Sequence, residues 1–411
     1  MSSVPGQNNK SGGICVFPWT WAHRESLSRG HRRTPCNRNG FFVLRGRRGE
    51  NPSVVVDFDS GDLVGQFGEL LDVAAPPVSI DDAKALAREH FGLDATVKPL
   101  GGERDHNFHL QDQSGEEFVL KVIHPAEDPD VSDFQSRMLL HIEAADPDLA
   151  TPRVVRLKLD NGYRVLWHTD DQSPRWVRCL TYLAGCPLNR AERSPVQKRN
   201  IGTFLGRLDF ALRDFRHPAE NHDLLWDTKH AARVRPLLVD VSDEVKRAAA
   251  DRALDHFAKY ILPNLPHMRN QVIHNDFNPH NVLAGSSRND EITGVIDFGD
   301  AVRSPLVQDL AVAAAYQFEP TGHPLEGPAQ VAAAFHAVYP LLPEEVEILP
   351  DLIATRFALA IAISYWRAAK HPDNADYIMR NQAAAWLGLQ RLNETPRDEA
   401  ITWLRRRIEQ R

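Results

Sequence analysis

The segment HNDFNPHN, at residues 274–281, decides how the rest of the chain is interpreted. It is followed by the apolar strand pattern GVI and then by DFG, at residues 294–299. Asp276 and Asn281 have the spacing D-x-x-x-x-N, and Asp297 is the first residue after the strand pattern. Any one Asp, Asn or Pro here would fit an ordinary turn. The order of the three polar side chains, together with the strand, indicates a functional site.

These three side chains match what phosphoryl transfer requires. A carboxylate must position the attacking hydroxyl and accept its proton, and oxygen ligands must hold Mg²⁺ on the phosphates of the donor. We therefore predict that Asp276 is the base and that Asn281 and Asp297 are metal ligands. The same loop-plus-strand arrangement forms the catalytic core of kinase-like enzymes.

Two segments upstream supply candidates for binding the phosphates. Lys121 lies in the strand pattern FVLKVI, at residues 118–123, which resembles the V-A-I-K strand of kinases. Gly101 and Gly102 form a turn before it, and the backbone N–H groups of such a turn can cover phosphates. Asn107 and Asp105 are the polar candidates beside this turn. The segment is neither G-x-G-x-x-G nor a Walker A loop, and most Gly-Gly pairs are simple turns.

The order of the predicted elements indicates two lobes of different composition. The patterns favour a helix that begins at Ser79, a hairpin that turns at Ser114-Gly115 and a second helix at 132–145. The chain becomes helical after Ser194-Pro195, which is typical of a cap followed by Pro at the first helical position. Further strands are predicted at 153–158, 164–168 and 177–182, and further helices near 241–261, 307–316, 325–338, 349–370, 375–391 and 398–410.

We therefore predict an α+β fold with a small antiparallel β-sheet in an N-lobe at 79–180. A linker between the lobes would occupy 181–185. A larger helical C-lobe at 186–411 would contain the catalytic loop and the metal site.

Composition limits the other interpretations. Hydrophobic residues make up 42% and charged residues 25%, which are ordinary globular values. No apolar run approaches the roughly 20 residues of a membrane helix. The four cysteines include no C-x-x-C pair, so neither a disulfide framework nor a zinc knuckle is predicted. We expect a cytoplasmic protein without a membrane partner.

The N-terminal segment differs from the rest of the chain in charge. The first 50 residues contain nine Lys or Arg and two Glu, although the whole chain has a net charge of -7. We predict a disordered basic extension at 1–55 and a linker at 56–78; a mitochondrial targeting segment and a basic partner-binding segment are the alternatives. The remainder is acidic, which argues against nucleic-acid binding and suits a cationic small molecule.

Taken together, these motifs resemble the aminoglycoside phosphotransferase family, and most closely its hydroxylysine kinase-like branch, over about residues 78–395. The branch is indicated by LGGERDHNF (100–108), VRCLTYL (177–183), LLWD (224–227), and DFGDAV (297–302) with PLVQDLA (305–311). The family implies a two-lobed protein-kinase-like fold, with the nucleotide between the lobes and the backbone of Thr181–Leu183 facing the purine. It also implies that Lys121 contacts the phosphates.

Four further expectations concern residues around these motifs. The Lys121 partner is usually a Glu on the next helix, and here the matching residue is Gln135, which would hold the lysine by a hydrogen bond. Asp300 and the pair Trp226–Asp227 are candidates for holding a cationic acceptor. We also expect Asp309 to cap a helix that starts at Leu310. The histidines of the catalytic loop, at 274 and 280, should support the loop by hydrogen bonds.

The resulting hypothesis is a Mg²⁺-dependent small-molecule kinase. It would transfer the γ-phosphoryl group of ATP or GTP to a hydroxyl of an amino compound, and the resemblance favours 5-hydroxylysine. Homoserine, choline, an aminoglycoside or another amino alcohol are alternative acceptors. A non-catalytic nucleotide-binding scaffold is the alternative class, and the oligomeric state is not predicted.

Overall fold

The structure, a computed structural model, describes residues 75–102, 104–169 and 172–410. The predicted extension at 1–55 and most of the linker at 56–78 lie outside these residues. Within them, no helix is both long enough and apolar enough to cross a membrane.

The N-lobe is built on a five-stranded antiparallel sheet. Ser79 caps helix α1 (Ile80–Leu86) by exchanging hydrogen bonds with Asp82, and Gly92, at φ 71°, ends the π-helical turn that follows α1. The strands of the sheet are β1 (Ala95–Leu100), β2 (His106–Asp112), β3 (Glu117–Val122), β4 (Val165–Thr169) and β5 (Gln172–Thr181). Their order in the sheet is β1-β2-β3-β5-β4.

The register of this sheet places three polar side chains in one row. Leu120 and its alternate neighbours on β3 are buried in an apolar core that includes α1. Because side chains alternate along a strand, Lys121 lies on the opposite face. Lys121 is paired with Asn107 on β2 and with Arg178 on β5.

Helix α2 (Pro129–Ala145) connects the sheet to the second lobe. Asp128 caps its start, with Pro129 at the first position. Its buried residues Phe134 and Met138 belong to the same apolar core as the helices of the C-lobe. This packing fixes α2 relative to the loops of the C-lobe.

The C-lobe is mainly helical. Ser194 caps α3 (Pro195–Leu212) as predicted. This helix crosses α6 (Glu326–Val338) so closely that a Cβ atom on Gly202 would overlap the carbonyl oxygen of Val331. Its helices are α3 (Pro195–Leu212), α4 (Glu244–His256), α5 (Leu306–Ala315), α6 (Glu326–Val338), α7 (Pro343–Lys370), α8 (Ala375–Ile378), α9 (Gln382–Glu394) and α10 (Arg397–Glu409), with a 3₁₀ segment at Thr228–Asp240.

Short strands fix the ends of the two loops that carry the predicted site. Strand β7 (Asn270–Ile273) pairs with β10 (Val302–Pro305), and β8 (Val282–Ala284) pairs with β9 (Ile292–Val295) and with β6 (Cys186–Pro187). The predicted catalytic loop therefore lies between β7 and β8. The DFG segment lies between β9 and β10.

Two predicted elements are wrong in detail. The segment 153–158 is not a strand, because only Val154 bridges to Leu180 and the chain then turns back at Asn161, which has φ 57°. The helix predicted at 375–391 is divided into α8, a 3₁₀ turn and α9. The side chain of Gln382 donates to the Ala360 carbonyl of α7 at 2.8 Å, which fixes where α9 begins.

Candidate active site

Asp276 is held by two amides of its own loop. The Asn278 Nδ2 group donates to both carboxylate oxygens at 2.8 Å, and Asn281 Nδ2 donates to Oδ2 at 2.7 Å. The side chain nevertheless keeps 21% of its surface exposed. The predicted base is therefore oriented and still accessible.

The loop is also supported from behind by Asp309, whose predicted position was wrong. Asp309 lies inside α5, not before it, because that helix begins at Leu306. Its buried carboxylate accepts the backbone N–H groups of His274 at 2.7 Å and Asn275 at 2.8 Å. Asn275 has φ 64°, so these bonds hold a left-handed conformation directly before Asp276.

His274 supports the loop by hydrogen bonds, as expected. Its Nδ1 accepts the Asp276 N–H at 3.2 Å, and its Nε2 lies 3.2 Å from the Ile296 carbonyl. A tautomer with the proton on Nε2 satisfies both contacts. The imidazole thus connects the catalytic loop to the segment that ends in Asp297.

Replacing Asp309 with alanine is expected to misplace Asp276. Two buried N–H groups would lose their acceptor, so the free energy of unfolding should fall by about 3 kcal/mol. Because a displacement of ~1 Å is enough to reduce turnover about a hundredfold, kcat should fall by a similar factor. Chemical denaturation and steady-state kinetics measure the two effects. The matched control is Asp373→Ala at an exposed position; an Asp309→Ala variant that behaves like it would contradict this role.

Asn281 and Asp297 are brought together by a short β-ladder. Val282 pairs with Val295, and the Ile296 N–H donates to the Asn281 carbonyl at 2.8 Å. Asp297 is exposed and has φ 62°, a left-handed conformation that Asp tolerates better than most residues. The Asn281 amide and the Asp297 carboxylate both carry hard oxygen atoms, the ligands that Mg²⁺ prefers.

This pair would bind a metal only together with other ligands. Among the described residues, no group of three or more His, Cys, Asp or Glu side chains is arranged to hold a metal ion. Mg²⁺ usually keeps several waters and shares its ligands with substrate phosphates. The donor set therefore fits a metal that arrives with a nucleotide.

The charge around Asp276 also favours a cation. Burial, followed by the nearby charge of Asp300, raises the pKa of the Asp276 carboxyl to about 8, although Arg356 opposes the shift. Arg356 Nη2 lies 3.4 Å from Asp276 Oδ1. A divalent cation at Asp297 would add positive charge beside the carboxylates of Asp276 and Asp300.

Lys121 has a different partner from the one that we predicted. Its Nζ lies 3.4 Å from Asp105 Oδ2, so the lysine is held by an ion pair within the N-lobe. Burial acts to raise the pKa of Asp105, but the Lys121 charge and the N–H of His124 outweigh it, and the pKa is lowered. The Asp105 carboxylate therefore supplies the charge that the usual helix Glu would provide.

Gln135 has a separate role. Its Oε1 accepts a hydrogen bond from the buried Arg178, and its Nε2 is 3.5 Å from the Gly299 carbonyl. Gln135 thus links β5 to the DFG segment of the other lobe. The expected hydrogen bond from Lys121 to Gln135 is replaced by this link.

The glycine turn is tightly packed around Asn107. A Cβ atom on Gly102 would lie 2.6 Å from the Asp105 carbonyl oxygen and would also overlap the Asn107 amide. The Asn107 Nδ2 group is 3.5 Å from the Gly101 carbonyl. Only glycine at position 102 allows this close approach.

The segment predicted to receive the purine is partly engaged already. The Thr181 N–H donates to the Arg153 carbonyl at 2.8 Å, and the Tyr182 N–H donates to Glu117 at 2.9 Å. A purine would therefore have to use other backbone groups of this linker, such as those of Leu183.

The three acceptor candidates lie in different surroundings. Asp300 is in the cleft, close enough to Asp276 to raise its pKa. The Trp226 ring is covered by Arg356, whose Cζ lies 5.0 Å from the ring centroid. Asp227 has no exposed surface and is bound by Lys229, Ser304 and Gln308.

Asp227 therefore supports the site instead of facing an acceptor. Gln308 Nε2 donates to Asp227 at 2.9 Å and also contacts the side-chain oxygen of Asn275 at 3.0 Å. This buried connection reaches the catalytic loop. The structure corrects our expectation that the Asp227 carboxylate contacts an acceptor directly.

Sequence reasoning missed three side chains of the cleft. Asn278 was part of the quoted motif, and its position two residues after Asp276 is typical of a local side-chain turn. Arg356 interrupts an apolar helical pattern, which is a signal for a buried charge with a specific partner. Arg104 follows the glycine turn, and nothing in its local pattern indicates where its guanidinium lies.

The fold and this site define the class of protein: a two-lobed, kinase-like phosphotransferase. The chain belongs to the phosphotransferase enzyme family APH, whose family model matches residues 96–349. The family match and the relatives described in the next paragraph show that the protein is a small-molecule kinase that acts on a hydroxyl group. The predicted family and fold are confirmed.

Its relatives are small-molecule kinases. Hydroxylysine kinase of the mouse (Mus musculus) is 26% identical over 341 residues, covering 78% of this chain and 90% of the relative. Homoserine kinase of Methylocella silvestris is 28% identical over 316 residues, covering 73% and 92%. The solved structure of a microcompartment-associated aminopropanol kinase has a TM-score of 0.61 at 18% identity, covering 77% of this chain and 98% of that chain, and it shares the fold.

Proposed function

We propose that this protein phosphorylates the side-chain hydroxyl of 5-hydroxylysine, with ATP or GTP as the donor and Mg²⁺ as the metal. The observation that carries the proposal is the arrangement of the catalytic loop. The carboxylate of Asp276 is oriented by hydrogen bonds from Asn278 and Asn281. A β-ladder brings Asn281 close to Asp297, whose carboxylate is exposed. We further propose that the lobes and linker have the boundaries predicted above and that the enzyme is cytoplasmic.

The residues of the cleft divide the chemistry between them. Asp276 would orient the acceptor hydroxyl and take its proton. Lys121, fixed by Asp105, would contact the donor phosphates as a point charge. Asn281 and Asp297 would hold Mg²⁺, which neutralises phosphate charge when bound. Catalysis would then consist mainly of positioning and electrostatic stabilisation.

The charge beside the base favours an acceptor with an ammonium group next to its hydroxyl. In 5-hydroxylysine the side-chain ammonium is on the carbon adjacent to the hydroxyl carbon. Asp300 is near Asp276 and could receive this ammonium while the hydroxyl meets the base. In homoserine the amine is two carbons away from the hydroxyl carbon, so it fits this pair of carboxylates less well.

The Gln135 position no longer supports a non-catalytic scaffold. That alternative depended on the loss of a carboxylate partner for the lysine. Because Asp105 supplies such a partner, the phosphate-binding lysine keeps its ion pair.

A panel of acceptors tests the substrate directly. Consumption of ATP and of GTP should be measured with Mg²⁺ and 5-hydroxylysine, homoserine, choline or an aminoglycoside, and with lysine as the matched compound without the hydroxyl. We expect the highest kcat/KM for 5-hydroxylysine, by about tenfold or more, because one lost charged contact typically has this effect. Lysine should give no turnover. A higher kcat/KM for another acceptor would overturn the choice of 5-hydroxylysine, and turnover with none would overturn the proposed function.

A further inference from the structure

Arg104 reaches from the glycine turn of the N-lobe to the DFG segment of the C-lobe. Its Nη2 lies 3.5 Å from Asp300 Oδ1, and its Nη1 lies 3.7 Å from Glu127 Oε2. The same Nη2 would lie 3.5 Å from a Cβ atom placed on Gly299. The guanidinium is thus located across the cleft, beside the two residues that follow Asp297.

These two ion pairs hold the guanidinium loosely. Charge-assisted N–H···O⁻ bonds are typically about 2.7–2.9 Å long, and both contacts are longer. The side chain keeps 29% of its surface exposed, so the guanidinium is open to the cleft. Because neither contact has the length of a charge-assisted hydrogen bond, Arg104 can exchange one of them for a shorter bond to another anion.

Arg104 lies where the transferred phosphoryl group would be located. The glycine turn is the segment that would cover the donor phosphates, and Asp297 is the proposed metal ligand on the other side. Lys121 is held by Asp105 within the N-lobe, whereas Arg104 extends toward the C-lobe. A planar guanidinium can donate two parallel N–H bonds to two phosphoryl oxygens, which a lysine cannot do.

We propose that Arg104 is a further catalytic residue, which leaves Asp300 when the donor binds and contacts the terminal phosphoryl group. This inference rests on the proposed function. The exchange also moves the guanidinium away from Asp300, the residue proposed above to receive the acceptor ammonium.

The transfer step is balanced without any further reactant. The bond between the γ-phosphorus and the bridging oxygen breaks, and the electron pair remains on the nucleoside diphosphate. The acceptor oxygen forms the new P–O bond, and its proton passes to Asp276. Arg104 neutralises charge on the equatorial oxygens during this exchange.

The test compares two nucleotides that differ in the terminal phosphate. Binding of ADP and of the non-hydrolysable imidotriphosphate AMP-PNP, and of the two guanine counterparts, is measured by calorimetry with Mg²⁺ and without acceptor. In the wild type the imidotriphosphate should bind more tightly than the diphosphate. Arg104→Gln should weaken binding of the imidotriphosphate by about tenfold or more, as expected for a lost charged hydrogen bond. Its affinity for the diphosphate should stay within about threefold of that of the wild type.

The controls separate this contact from a structural role. Arg88→Gln, at an exposed position of the same lobe, should change neither affinity. Arg104→Lys keeps the charge but not the planar fork, so its affinity for the imidotriphosphate should fall by an intermediate factor. This variant serves as the test if Arg104→Gln does not fold. If Arg104→Gln weakened the binding of both nucleotides equally, or of neither, the role of Arg104 would be overturned but the proposed function would not. A wild-type protein that binds no nucleotide would overturn the proposed function as well.

Discussion

Replacing Asp276 with asparagine is expected to remove nearly all turnover while the donor still binds. General-base catalysis contributes about 10²–10⁴-fold, so kcat should fall by about a thousandfold. An asparagine has nearly the same volume but cannot accept the hydroxyl proton. Donor affinity should stay within about threefold, because the role proposed for this carboxylate concerns the acceptor, and its partners in the structure are Asn278, Asn281 and Arg356.

Two measurements separate the chemical step from binding. Release of nucleoside diphosphate with saturating 5-hydroxylysine reports turnover, and calorimetry with AMP-PNP reports donor affinity. Asp373→Asn, at an exposed position, is the matched control. Turnover of Asp276→Asn close to that of the wild type would show that another group is the base.

Replacing Asp297 is expected to remove the effect of Mg²⁺ on donor binding. Asp297 is an exposed carboxylate beside Asn281, and an amide alone holds Mg²⁺ poorly. We expect the wild type to bind the imidotriphosphate at least about tenfold more tightly with Mg²⁺ than with a chelator, since one charged contact has this magnitude. The variant should show similar affinities in both conditions.

The choice of substitution matters because of the backbone at this position. Asp297 has φ 62°, where alanine adds strain and asparagine is tolerated. Asp297→Asn should therefore lose the Mg²⁺ effect with an unchanged melting temperature, and Asp297→Ala should lose both Mg²⁺ dependence and some stability. A variant whose donor affinity still increases with Mg²⁺ as in the wild type would contradict the metal site.

Local sequence patterns are enough to predict the frame of the site. Asp276, Asn281 and Asp297 could be predicted from one loop and one strand. The loop is short, and the pairing of Val282 with Val295 brings its end next to the end of the strand. The caps at Ser79 and Ser194 likewise depend only on neighbouring residues. Such features are determined within a few positions of the chain, so sequence reasoning finds them.

The partners of these residues depend on contacts between distant segments. Lys121 pairs with Asp105 instead of contacting Gln135, because β2 and β3 are antiparallel neighbours and the start of β2 lies beside the end of β3. Gln135 meets Gly299, which is more than 150 residues away in the chain. The local pattern around either residue contains no sign of these pairs.

Arg356 is a residue whose sequence pattern signals a partner but does not identify it. The pattern of α7 places an arginine among apolar residues, which indicates a partner but not its identity. Only the packing of α7 against the catalytic loop brings its Nη2 to within 3.4 Å of Asp276. Residues of this kind are found from the structure.

The most direct measurement of the central claim follows the terminal phosphoryl group itself. The wild-type protein is incubated with a donor labelled in that group, Mg²⁺ and 5-hydroxylysine, and the products are separated and identified by mass spectrometry. We predict that the label appears on the side-chain hydroxyl of 5-hydroxylysine, that it requires Mg²⁺, and that it is absent with Asp276→Asn. Label that stays on the donor, or that appears only in inorganic phosphate with every hydroxylated amine tested, would contradict the account.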